Sequence, residues 1–162
     1  MINIGHIGLG RMGMFHAETI ESLNNANLYA LCDLNDELLK DTAQRLGVEK
    51  TYNNFDDMIE DDNIDAITIT SPSFLHTEQI SKALKAGKHV FSEKPLGTTV
   101  EQCKEAEKTV EQCPDQIFML GFMRRFDNSY KYAKEAIDNG EIGEVYLVRS
   151  YSQDPTKNIE GA

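Results

Sequence analysis

The sequence predicts an α/β domain with a doubly wound parallel sheet. Three observations carry this. Short apolar runs alternate with amphipathic stretches of helical period from Ile2 to Leu120. A glycine-rich turn, Gly8-Leu9-Gly10-Arg11-Met12-Gly13, stands between the first apolar run and the first helical stretch. The second apolar run ends in an acid, Asp33.

The elements follow in order. Ile2, Ile4 and Ile7 mark a first strand at about 2–7, and a helix follows at about 11–24. Leu28-Tyr29-Ala30-Leu31-Cys32 is the second strand, with a helix at about 35–46. Glu49–Tyr52 is a short third strand and Phe55–Glu60 a short helix. Asp65–Thr70 is the fourth strand, stopped by Ser71-Pro72. Thr77–Ala86 places Ile80, Ala83 and Leu84 on one helical face, and Gly87 suits the left-handed residue after a helix. His89–Ser92 is the fifth strand, Val100–Val110 a helix and Gln116–Leu120 the sixth strand. Tyr130–Asn139 reads as a helix ended by Gly140. Glu144–Ser152 alternates with period two, a strand pattern that would open a second sheet.

The glycine turn carries chemistry. In a Gly-x-Gly-x-x-Gly between strand and helix, Gly8 serves the tight turn. Gly10 serves close approach to a pyrophosphate, and Gly13 close packing of helix on strand. The helix behind it, starting at Arg11 and Met12, points its first N–H groups at the phosphates. Asp33 lies about 20 residues past the glycines, where an acid accepts hydrogen bonds from ribose hydroxyls. It would repel a 2′-phosphate, and Leu34-Asn35-Asp36-Glu37 offers no base to hold one. The pattern is that of a Rossmann domain that takes NAD rather than NADP.

A second signal is Glu93-Lys94-Pro95. Pro95 ends the fifth strand and leaves Lys94 at its carboxyl end, the end where open parallel sheets bind ligands. A lysine there can lose solvation and become a proton donor or acceptor near neutral pH. The alternative is a surface lysine paired to Glu93. Glu93 itself orients the loop, meets the nicotinamide ribose, or forms a structural ion pair.

Composition narrows the function. The 162 residues can hold one full domain and little more. A net charge of −11 argues against nucleic acid and anionic membranes, and no apolar run nears bilayer length. Cys32, Cys103 and Cys113 lack metal-ligand spacing, and no two histidines have it, so no metal is expected. The chain opens directly on a strand, without the pattern of a secretory leader. With an odd cysteine count, this points to reduced thiols and a cytoplasmic setting.

These motifs resemble the Gfo/Idh/MocA oxidoreductase family. The resemblance rests on the glycine turn, Thr70-Ser71-Pro72, His76, Ala86-Gly87-Lys88-His89, Glu93-Lys94-Pro95, Gly121-Phe122-Met123-Arg124-Arg125-Phe126-Asp127 and Gly140-Glu141-Ile142-Gly143. The Gly121–Asp127 run is most similar to the inositol dehydrogenase branch. The resemblance implies a dinucleotide-binding Rossmann domain at 1–122, and at 123–162 the start of an α+β domain for substrate and oligomer contacts. It implies oxidation of a secondary alcohol on a cyclic polyol or sugar, with Lys94 as catalytic and substrate-binding residue. Ser71 and Pro72 would meet the cofactor through backbone atoms; Ser73 stands where the family often has Asn.

Arg124 is implied for the substrate or nicotinamide pocket, the alternative being an ion pair to Asp127. His76 is implied beside the cofactor, the alternative being a capping or packing role; His16 poses the same choice. His6 and His89 read as structural. Tyr151-Ser152-Gln153-Asp154 is expected to reach the pocket. The family's Asp-x-x-x-His pair has no counterpart, since no histidine follows His89. The chain is therefore expected to be truncated, poorly active and prone to associate by itself, while a full-length protein forms a homo-oligomer. A non-catalytic NAD-binding module or sensor is the alternative.

Overall fold

A computed structural model describes residues 1–152. Its elements are β1 (Ile2–Ile7), α1 (Arg11–Glu21), β2 (Ala26–Cys32), α2 (Asp36–Leu46), β3 (Lys50–Tyr52), α3 (Phe55–Ile59), β4 (Ala66–Ile69), α4 (His76–Lys85), β5 (His89–Glu93), α5 (Val100–Gln112), β6 (Phe118–Gly121) and α6 (Asn128–Asp138). Single 3-10 turns cover Ser73–Leu75 and Met123–Arg125. The six strands are all parallel, in the order β3-β2-β1-β4-β5-β6. This is the doubly wound Rossmann sheet the alternation predicts.

Local chemistry explains the boundaries. Asn35 caps α2, its side chain accepting from the N–H of Glu37 and Leu38, and Gly47 ends the helix at φ 68°. Thr99 and Gln102 form a capping box at the start of α5. Gly87 takes φ 80° after α4, as its place in the sequence requires. Strand β6 begins at Phe118 rather than Gln116, because the Ile117 N–H turns aside to His89 Nδ1 at 2.9 Å.

Successive strand residues point to opposite faces, so Leu31 and Cys32 enter different cores. Leu31 joins Leu9, Ala17 and Ile20 with Leu39 and Ala43, under α1 and α2. Cys32 joins Ile67, Ile69, Ile80, Leu84 and Met58, under α3 and α4. Burial pushes the Cys32 thiol up to about 12, so it behaves as an apolar packing residue.

The chain divides into two units after Phe122. In the second, Asp127 caps α6 by accepting from the N–H of Ser129 and Tyr130. The expected strand at Glu144–Ser152 is absent: these residues are exposed and irregular. Alternation alone cannot form a strand, which needs a hydrogen-bonded neighbour. Among the described residues none pairs with this segment. Gln153 and Asp154, expected at the pocket, lie outside the described residues.

Candidate cofactor crevice and reactive lysine

Strand order reverses between β1 and β4, and ligands bind such sheets in the crevice at that switch. The glycine turn, Asp33, Ser71-Pro72 and Glu93-Lys94 all follow the carboxyl ends of strands at or beside it.

The three glycines answer to three different demands. Gly8 has φ 92°, and a Cβ there would meet the Ser71 nitrogen at 2.6 Å. It lets the turn press on the end of β4, where Thr70 Oγ1 donates to the Gly8 and Ile7 carbonyls at 2.7 and 2.8 Å. At Gly13 a Cβ would fall 1.8 Å from the Gly8 oxygen, so helix and turn touch backbone to backbone. At Gly10 a Cβ would meet nothing within 4 Å. Gly10 is the N-cap of α1, with no side-chain cap and no acid in the first turn. Free N–H groups facing open space fit a pyrophosphate. Arg11 and Met12 are exposed on that first turn.

Asp33 is held from two sides. Its Oδ2 accepts from the Leu9 N–H at 2.7 Å and its Oδ1 from the Asn35 N–H at 2.9 Å. Asn53 Nδ2 adds a bond to the Asp33 carbonyl at 3.3 Å. Each carboxylate oxygen keeps a lone pair, which fits ribose hydroxyls.

Ser71 turns its hydroxyl inward to Gln79, so only its backbone and Pro72 face outward. His76 is buried, with both ring nitrogens on carbonyl oxygens: Nδ1 lies 2.7 Å from Pro95 O and Nε2 2.8 Å from Ser71 O. A neutral imidazole carries one N–H and donates to one of these two carbonyls; lying between them, His76 ties the loop after β4 to the loop after β5. His6 lies buried in β1, its Nδ1 without a partner among the described residues. Burial first, and the charge of His16 next, push its pKa down to about 4.

Lys94 is exposed just past β5, and its ammonium makes no ion pair among the described residues. Glu93 pairs instead with His16, Oε1 to Nε2 at 2.9 Å, while its Oε2 accepts the Lys94 backbone N–H at 3.1 Å. No sequence signal connects His16 to Glu93, 77 positions apart. In the second unit, Arg124 donates to Asp127 Oδ2 at 3.1 Å and lies 5.3 Å from the centroid of Tyr130. The groove of about 410 Å3 that includes Phe74, Glu78, Lys82 and Glu105 holds none of the expected site residues. Among the described residues no cluster of His, Cys, Asp and Glu suits a metal ion, and no helix is long and apolar enough to cross a membrane.

Residues 2–122 match the model of an oxidoreductase family with an NAD-binding Rossmann fold, Gfo/Idh/MocA. The chain belongs to that family. Among its relatives, a myo-inositol 2-dehydrogenase of Thermotoga maritima is 40% identical over 156 residues, 95% of this chain and 46% of the relative. The crystal structure of scyllo-inositol dehydrogenase from Lactobacillus casei, with NAD(H) and scyllo-inositol bound, superposes with a TM-score of 0.94 at 45% identity. That match covers 99% of this chain and 47% of the other. A 3-ketoreductase from Actinomadura kijaniata in complex with NADP matches at 27% identity and TM-score 0.78 over 88% of this chain and 44% of that one. The chain thus spans about half the length of the relatives it matches.

Proposed function

We propose that this chain is the cofactor-binding, lysine-bearing part of an NAD-dependent dehydrogenase that oxidises a secondary alcohol of an inositol-type cyclic polyol or sugar. A bound NAD would supply the hydride acceptor for the carbinol carbon. Gly10, Arg11, Met12 and Gly13 receive its pyrophosphate through backbone N–H groups, and Gly8, whose own N–H is held by Cys32 O, shapes the turn that presents them. Asp33 takes the ribose hydroxyls and excludes a 2′-phosphate, a choice the NADP-bound relative shows this fold does not make by itself. Ser71 and Pro72 offer backbone contacts. Glu93 holds the reactive loop, and Arg124 contributes its guanidinium to substrate hydroxyls. Lys94 acts as the neutral amine: it takes the hydroxyl proton and becomes an ammonium as the carbinol carbon gives up its hydrogen with the bonding electron pair, so alcohol becomes ketone.

The observation that carries this reading is the Lys94 side chain at the strand end beside the switch point, without an ion-pair partner among the described residues because Glu93 pairs with His16. Residues 1–122 are then the dinucleotide-binding domain, and 123–162 open a substrate domain whose sheet builds a homo-oligomer. The net charge of −11 supports a protein without nucleic-acid or anionic-membrane partners, and the three free cysteines support a cytoplasmic setting.

A second reading is an NAD-binding module without turnover, supported by the family match at residues 2–122, which is to an NAD-binding Rossmann fold. NADH formation with a panel of inositols and aldoses, on this chain and on any longer form the gene encodes, separates the two. Turnover that falls by about 10²–10⁴-fold in Lys94→Ala supports the enzyme. Tight NAD binding without turnover in either form supports the module, and activity on aldoses alone removes the inositol assignment.

A further inference from the structure

Glu93 carries a half-buried carboxylate with two engagements and one ion-pair partner. Its side chain is 16% exposed and that of His16 24%. A carboxylate only accepts hydrogen bonds, so at 2.9 Å His16 Nε2 must be the donor to Oε1. The other oxygen, Oε2, accepts the Lys94 backbone N–H. Among the described residues no lysine or arginine forms an ion pair with Glu93.

The seat is shaped for this. A Cβ at Gly121 would lie 3.0 Å from Phe91 Cζ and 3.4 Å from Glu93 Cδ, so the bare glycine on β6 leaves room for both. The His16 ring packs on Phe91 at 5.3 Å between centroids, tilted by 52°. Helix α1 thus carries the glycine turn at its start and, at His16, a side chain that reaches the end of β5.

We propose that His16 is a positioning residue for Lys94, acting through Glu93; this rests on the reading of Lys94 as the proton-transfer group. His16 has two effects. It fixes the carboxylate that anchors the Lys94 backbone, so the side chain leaves the strand end from one place. It also occupies Glu93, which would otherwise pair with the Lys94 ammonium next to it and hold its proton. The helix that receives the cofactor's phosphates thereby also sets the reactive lysine.

The test uses the 162-residue chain and needs no substrate. Long-range 1H–15N spectra read the His16 tautomer, and backbone amide exchange reads the anchor. The wild type should carry its proton on Nε2. In His16→Phe the Lys94 amide should exchange about tenfold faster while Ser92 keeps its rate, and His16→Gln, which retains a donor, should stay within about threefold of wild type. An Nδ1–H tautomer with bare Nε2 overturns the proposal. So does an unchanged Lys94 rate in His16→Phe, or an equal acceleration across all of β5, which would mean mere packing. Should His16→Phe not fold, the wild-type tautomer and the His16→Gln rate still decide. Turnover of Lys94→Ala tests the lysine's chemistry separately. If that turnover persists, the earlier reading fails, whatever the exchange shows; if the exchange pattern is absent, this proposal fails, whatever the turnover shows.

Discussion

Gly10 and Gly13 stand three residues apart in one motif, yet alanine should damage different properties at each. At Gly13 the new Cβ would sit 1.8 Å from the Gly8 oxygen, where ordinary contact begins at 3.4 Å. The obstacle is backbone on both sides, so the turn or the helix must retreat by most of that gap. The Gly8 carbonyl accepts from Thr70 Oγ1, and the Gly8 N–H donates to Cys32 O at 2.9 Å, so retreat breaks hydrogen bonds as well. Overpacking costs about 1–3 kcal/mol, and each lost bond adds about 1 kcal/mol. Gly13→Ala should lose about 3–5 kcal/mol, a large part of the roughly 5–15 kcal/mol that holds a domain together. At Gly10 the φ of −65° suits alanine and nothing lies within 4 Å. Its stability cost is that of a poorer N-cap, under about 1 kcal/mol. Its methyl would instead stand where the pyrophosphate meets the N–H groups. Charge-assisted bonds are worth about 1.5–3 kcal/mol each, so NAD should bind at least tenfold more weakly. Urea denaturation followed by circular dichroism, and NAD titration by calorimetry, read the two effects. A stable Gly13→Ala, or a Gly10→Ala that unfolds or binds NAD normally, would refute the division of roles.

Three further outcomes are expected. His6 has its pKa lowered from 6.5 to about 4, so as pH falls through that window the unfolded chain takes up a proton that the folded chain refuses. Stability should drop by about 3 kcal/mol between those values and level off below; His6→Val should show a flatter profile in urea melts, and an identical slope would remove His6 as the cause. Lys88 is buried, its Nζ donating to the carbonyls of Asp61 and Ile64 at 2.8 and 2.9 Å. Lys88→Met leaves both acceptors dry and should cost about 2–4 kcal/mol, checked by the same melts, with wild-type stability counting against it. Wild-type chain should bind NAD more tightly than NADP. Asp33→Ala should narrow that gap and also lose about 1–3 kcal/mol, because Leu9 and Asn35 lose their acceptor; equal affinities in the wild type would sink the cofactor assignment.

Much of this molecule is legible along the chain because the deciding interactions are local. Strand and helix periods, the Asn35 and Thr99 caps, the left-handed Gly87 and the Pro95 stop act within a few residues. The glycine turn and Asp33 read from spacing because a short strand, a tight turn and a helix leave little freedom between them. Where pairing must come from elsewhere, the pattern misleads: Glu144–Ser152 alternates like a strand but forms none. Side-chain partners across the sheet were out of reach for the same reason. That the His76 nitrogens lie against the Ser71 and Pro95 carbonyls is written nowhere along the chain. Lys94 and Glu93 look like an ion pair until α1 brings His16 to Glu93. Sequence alone determined the sheet, the cofactor class and which lysine stands at the strand end, since those depend on near neighbours. Only the tertiary structure decided which acceptor each histidine meets, because that depends on distant segments packed to within 3 Å.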